Sequence, residues 1–136
     1  MKSTLVDAGP LIALFDKDDD YHDRAVSFLK KHQGRLLSTW PVVTEVSHML
    51  DFSVKTQANF LTWIERGGVD IFDLRMEHVP GLIELTEKFK DVSMDLADAT
   101  LIVVSEHTLI REIATIDGDF YIYRNIRNKY LKNVFL

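Results

Sequence analysis

Five acids in this 136-residue chain stand where acids are conspicuous. Asp7 closes the apolar pair Leu5-Val6. Glu45 stands alone among Val42, Val43, Val46, Met49 and Leu50. Asp95 and Asp98 open the run SMDLADATLIVV, and Asp117 lies in Ile-Asp-Gly-Asp. A hard divalent cation takes oxygen ligands, and Mg²⁺ binds through one or two carboxylates together with waters and phosphate. Several carboxylates brought to one point repel each other unless a cation lies among them. The combination therefore says more than any member.

Taken singly, each acid has a plainer role. Asp7 suits a turn after a strand, and Asp117 before Gly118 suits a turn as well. Asp95 is a helix N-cap, Asp98 a helix-start acid favoured by the dipole, and Glu45 a snorkelling surface residue. What decides between these roles and a shared site is whether the elements deliver all five to one place.

The elements read as follows. Residues 2–6 form a short strand running into Asp7. Gly9-Pro10 begins a helix, with Pro10 at an allowed first-turn position. Residues 16–20 are an acidic loop, and residues 21–33 a helix with an Ala25, Phe28, Leu29 stripe ending at Gly34. Residues 35–38 form a strand. Pro41 opens the apolar helix that carries Glu45, and residues 53–66 form the next helix, stopped by Gly67-Gly68. Residues 69–74 alternate like a half-buried strand. Residues 76–90 are an amphipathic helix. A helix capped by Ser93 runs to about His107, apolar enough to be buried, with Asp95 and Asp98 on one face of its first turn. Residues 112–116 form a strand ending at Asp117, and residues 134–136 an edge strand.

Strands alternating with helices predict an α/β fold: a three-layer α/β/α sandwich on a mainly parallel twisted sheet. Such sheets bind ligands outside the carboxyl ends of their strands. Asp7 and Asp117 fall at those ends, and the acid-bearing helices start from the same edge.

The whole of 1–136 reads as one domain, large enough for a real core. Hydrophobic content of 46% and charged content of 27% are ordinary for a globular protein. The absence of cysteine removes disulfides, thiolate metal sites and thiol nucleophiles, and fits a reducing compartment. The N-terminal apolar stretch is broken by Asp7, Gly9 and Pro10, unlike a signal peptide. No run is long enough for a membrane span. A net charge of −5 argues against coating nucleic acid by bulk charge. Placing the five acids in one site leaves 16 of the 21 acids, equal to the 16 bases. After Asp119 no acid follows, whereas Arg124, Arg127, Lys129 and Lys132 do.

The order LVDAGPLIALFD, TEVSHML, MDLADATLIVVSE, IATIDGDF resembles the PIN-domain family. More narrowly, it is similar to the VapC-like toxin ribonucleases of type II toxin–antitoxin pairs. The resemblance covers nearly the whole chain. It matches Asp7 to the acid after the first strand, Glu45 to the acid of a Thr-Glu helix, and Asp98 to the acid before Ala. Asp117 matches the acid of the Thr-x-Asp-x-Asp-Phe stretch, and Asp95 an acid frequent in the Met-Asp-Leu-Ala-Asp-Ala variant. It implies Mg²⁺- or Mn²⁺-dependent hydrolysis of RNA phosphodiesters by a cytoplasmic protein, the usual homodimer, silenced by an antitoxin segment over the cleft. A cation polarises the scissile phosphate and lowers the pKa of a bound water. Asp7, Glu45 and Asp98 are the ligand candidates, with Asp117 direct or through water, and Asp95 the alternative to Asp98. The other readings are a solitary PIN-domain nuclease in RNA processing and a non-catalytic binding module.

Other chemistry lacks its residues. The five histidines have no zinc spacing, Ser47 and Ser105 lack a nucleophile elbow, and no Gly-rich phosphate loop exists. A phospho-acceptor receiver domain wants paired acids after the first strand and a late Lys, where this chain has Ala8-Gly9 and Asp117. The tail YIYRNIRNKYLKNVFL mixes bases and aromatics. It either binds single-stranded RNA, with Arg124 and Arg127 on phosphate, or solvates its bases and buries its tyrosines. Thr115 and Thr44 either bond to ligands or phosphate or fill core. Trp40 and Trp63 are packing residues or, if exposed, a dimer surface. The apolar stripes of the Tyr21 and Pro41 helices are expected to flank a groove for an amphipathic partner helix.

Overall fold

The computed structural model describes residues 2–92, 94–121, 123 and 129–136. A five-stranded sheet, parallel throughout, runs in the order β3-β2-β1-β4-β5. Its centre is β1 (Lys2–Val6), whose burial deepens along the strand toward Asp7. β2 (Gly34–Ser38) pairs with it from Lys2↔Gly34 to Leu5↔Leu37. Gly34 has φ of +141°, and a Cβ there would lie 1.6 Å from the Lys2 carbonyl oxygen, so only glycine admits this approach.

Two helices, α1 (Ala8–Phe15) and α2 (His22–Lys31), connect β1 to β2. The next pair, α3 (Trp40–Met49) and α4 (Val54–Glu65), leads to β3 (Asp70–Ile71). From there the chain crosses back through α5 (Val79–Lys88) and α6 (Leu96–Thr108) to β4 (Glu112–Ala114), on the far side of β1. Right-handed crossovers then put the first helices and the α5–α6 pair on opposite faces, which is the expected three-layer arrangement. Between β1 and β4 the strand order reverses, so a crevice opens at their carboxyl ends. Helix α3 packs against both α1 and α6 and so walls that crevice.

Helix α6 is buried from Ala97 to Ser105 without a break. Its neighbours include the fully buried Leu5, Val42, Val46 and Ile113 of the same core. A mainly apolar circumference, with Thr100 and Ser105 bonding to backbone carbonyls, suits a helix enclosed by the domain. Such a helix is fixed by packing on every side, which makes its first turn a firm mount for side chains.

Several boundaries differ from the sequence expectation. The cap of α6 is Asp95, and Ser93 lies outside the described residues. Strand β3 covers only Asp70–Ile71, although Phe72 and Leu74 still pack on the core. The Phe72 N–H makes the last bond to β2, at the Ser38 carbonyl, and beyond it the alternation reflects packing alone. Strand β4 stops at Ala114, because Thr115 turns its bonds to Asp7 and Asp117. The last strand, β5 (Lys132–Asn133), lies before the expected 134–136. Asn133 ends it by accepting from the Phe135 N–H and donating to the Thr115 carbonyl. The helix expected over residues 76–90 starts as a short 3₁₀ turn at Met76–His78 and continues as α5, with Pro80 in its first turn. The helix placed at 21–33 is shorter, His22–Lys31. Helices α2 and α3 each pack on α1, and each also lines an open groove, α2 beside Phe135 and α3 beside Asp95.

Candidate active site

Asp7 follows β1 directly and is the N-cap residue of α1, with extended backbone and no capping bond from its side chain. Its amide donates to the Ala114 carbonyl at 3.0 Å, extending the β1–β4 ladder by one bond. The carboxyl is buried, and Oδ2 accepts from Thr115 Oγ1 at 2.8 Å. Gly9 lets this approach happen: a Cβ there would meet Ile116, between Thr115 and Asp117, at 3.1–3.3 Å. Burial lifts the Asp7 pKa to about 6, helped by the charges of Asp117 and Asp95 and opposed by the Ala8 N–H and Thr115.

Asp98 lies in the first turn of α6 and is buried. The N-cap Asp95 accepts its amide at Oδ1, 2.8 Å. Tyr123 donates its hydroxyl to Asp98 Oδ2 at 3.1 Å. Burial, followed by the charges of Asp95, Asp7 and Asp117, pushes the Asp98 pKa up to about 8.

Asp117 begins the turn after β4. Its amide donates to Thr115 Oγ1 at 2.9 Å, and its Oδ1 accepts from the Asp119 N–H at 2.9 Å. Asp7, Asp98 and Asp117 each offer a carboxylate oxygen, and these three oxygens lie within 4.8 Å of one another. Three carboxylates at that spacing are a hard donor set fit for a divalent cation such as Mg²⁺ or Mn²⁺. Burial first, and their mutual repulsion after it, raise the pKa values of Asp7 and Asp98.

Glu45 and Asp95 stand outside that set of three. Glu45 lies in the second turn of α3, not at its start, and is exposed. Partial burial raises its pKa, with the charges of Asp7, Asp95 and Asp117 adding to the shift. It lines a groove of about 730 Å³ together with Trp40, Thr44, His48, Asp95 and Leu96. Asp95 spends one oxygen on the helix cap, which leaves Asp98 the acid turned to the cluster. A wider groove of about 1040 Å³ lies at the other end of β1, between α2 and Phe135, and none of the five acids lines it.

Thr115 is fully buried, and both bonds of its hydroxyl serve the acids. Thr44 bonds back to the Trp40 carbonyl. Of the tail aromatics, Tyr123 and Phe135 are buried and Tyr130 is exposed, so the burial alternative holds for the first two. Arg124 and Arg127 lie outside the described residues. Two contacts had no sequence signal: Tyr123 with Asp98, and the buried 2.7 Å bond between the hydroxyls of Thr39 and Thr100, which ties the start of α3 to α6.

Comparison with known proteins places this geometry. A family model described as PIN domain matches residues 4–126. Among curated proteins none matches. Among solved structures, the chain is similar to VapC20 of Mycobacterium tuberculosis, described as a sarcin–ricin loop cleaving toxin. The TM-score is 0.78 at 17% identity, covering 88% of this chain and 93% of that one.

Proposed function

This chain belongs to the PIN-domain family, and from that premise we propose that it is a metal-dependent endoribonuclease, the toxin of a toxin–antitoxin pair. The observation that carries the reading is the approach of three carboxylate oxygens, from Asp7, Asp98 and Asp117, to within 4.8 Å. The ion is Mg²⁺ or Mn²⁺, because the donors are all hard oxygens. When bound, it neutralises charge on the scissile phosphate and makes a water a stronger nucleophile.

The protein's own groups do the rest. Asp7, Asp98 and Asp117 hold the ion, and Asp95 fixes the helix turn on which Asp98 stands. Glu45, in the groove it lines with Asp95, acts as the base that orients the attacking water. Its raised pKa makes it a better proton acceptor than an ordinary glutamate. The water oxygen bonds to phosphorus, its proton passes to Glu45, and the displaced ribose oxygen is protonated from solvent. Arg124 and Arg127 supply phosphate contacts, since a guanidinium meets phosphate bidentately. The full 1–136 acts as one domain.

Two partners follow. A homodimer is supported by exposed Trp40, Met49 and Leu96 on the elements that carry the acids. An antitoxin is supported by the acid cluster, which attracts an Arg or Lys in place of the ion. A cytoplasmic location fits RNA as substrate. Among the described residues no helix is long and apolar enough to cross a membrane.

Incubation of purified protein with RNA tests the reading. Cleavage is expected with Mg²⁺ or Mn²⁺ and is lost in EDTA. Cleavage that persists in EDTA overturns the metal mechanism. Sedimentation of wild type and Trp40→Ala tests the dimer: the wild type is expected as a dimer and the variant as a monomer.

A further inference from the structure

The stretch from Thr115 to Tyr123 supplies one hydrogen-bond donor to each acid of the cluster. Thr115 Oγ1 serves Asp7, the Asp119 N–H serves Asp117, and Tyr123 Oη serves Asp98. Tyr123 differs from the other two in being an aromatic side chain packed between two other rings. It lies 25 positions from its acceptor and is held there by packing. The side chain is 0% exposed. Its ring meets Phe89 edge-on at 5.3 Å and Phe120 at 5.1 Å. Phe89 follows α5, and Phe120 follows the turn that carries Asp117. The phenol is thus clamped between the element next to α6 and the Asp117 turn, with its hydroxyl aimed at one oxygen of Asp98.

We propose that Tyr123 is a positioning residue for the metal centre: its hydroxyl holds Asp98 Oδ2 and so turns Oδ1 toward the ion. A carboxylate with one oxygen tied loses rotational freedom before the ion arrives, and less ordering remains to be done on binding. The proposal rests on the reading of Asp98 as a ligand.

Tyr123→Phe removes one hydroxyl and keeps the packed ring. Mn²⁺ binding is measured without RNA, by the electron paramagnetic resonance signal of the free ion, for wild type, Tyr123→Phe and Asp98→Asn. Tyr123→Phe is expected to lower Mn²⁺ affinity about tenfold or more, the usual effect of removing a partner of a metal ligand. Cleavage by this variant recovers as Mn²⁺ is raised, with kcat approaching wild type; a merely structural role for the hydroxyl would not give that recovery. Wild-type affinity in Tyr123→Phe, alongside loss in Asp98→Asn, overturns the positioning role alone. Wild-type affinity in Asp98→Asn overturns Asp98 as a ligand and the proposal with it. If Tyr123→Phe does not fold, 3-fluorotyrosine at 123 keeps the shape and strengthens the donor; an altered Mn²⁺ affinity supports the proposal and an unaltered one overturns it.

Discussion

Thr115 Oγ1 donates to Asp7 Oδ2 at 2.8 Å across 108 positions of sequence, and the same oxygen accepts the Asp117 N–H at 2.9 Å. One hydroxyl therefore orients two of the three acids. Thr115→Val keeps the shape and removes both bonds. The expected cost is about 1–3 kcal/mol, since buried polar partners are left unpaired. Chemical denaturation measures it, and cleavage falls with it. A variant as stable and active as wild type would make Thr115 a core filler only.

Asp98→Asn removes a titrating carboxyl from a crowded site without changing shape. Cleavage is expected to vanish, while the metal-free fold is as stable as wild type or more so. Mg²⁺ raises the melting temperature of wild type, and less so that of the variant, because a ligand stabilises only the form that binds it. Equal Mg²⁺ shifts would reduce Asp98 to a helix-start acid.

The pKa values give stability a slope with pH. Asp7 at about 6 and Asp98 at about 8 stand above the ordinary 3.8 of an unfolded aspartate. Above about pH 4 the unfolded chain releases these protons while the folded chain keeps them, so rising pH favours unfolding. The stability present at low pH is lost as pH passes through 6 and then 8. Melting of the metal-free protein over that window is expected to show a shallower decline for Asp98→Asn than for wild type. Saturating Mg²⁺ removes most of the difference. Parallel curves for the two proteins without metal would contradict the raised Asp98 pKa.

A basic inhibitor should compete with the ion. A peptide with one Arg or Lys placed over the cluster is expected to bind more weakly as Mg²⁺ rises at constant ionic strength. Titration calorimetry reads this directly. Affinity independent of Mg²⁺ places inhibition at another surface.

Leu109 offers a control remote from the chemistry. It ends α6 in the left-handed region, φ 65°, and its side chain is exposed. Leu109→Gly relieves the backbone while adding some unfolded-state entropy. The net gain is expected to be about 0.5 kcal/mol, with cleavage unchanged. A loss of stability would show that the exposed leucine packs against something.

Much of this arrangement was legible from residue types. Asp7 after Leu5-Val6, and the unbroken apolar run after Asp98, announced a strand end and a buried helix start. Period and caps gave those because they are local physics. Less legible was anything decided by partners far along the chain. Asn133 ends β5 and Thr115 ends β4 through bonds to each other and to Asp7, so the expected strands at 134–136 and 112–116 were misplaced or too long. Glu45 showed as an acid on an apolar helix. Its place in one groove with Asp95 depended on how α3 packs on α1 and α6. Tyr123 looked like one aromatic among several, because nothing local marks a phenol that reaches α6.

The side-chain hydroxyls that donate to Asp7 and Asp98 both come late. A chain extended by the ribosome only through α6 already carries Asp7, Glu45, Asp95 and Asp98, yet has neither Asp117 nor the hydroxyls of Thr115 and Tyr123. Domains made N-terminus first wait for such distant closures. The growing chain therefore holds four of its five acids without a finished centre, and the cluster of three closes only once Asp117 has joined the fold.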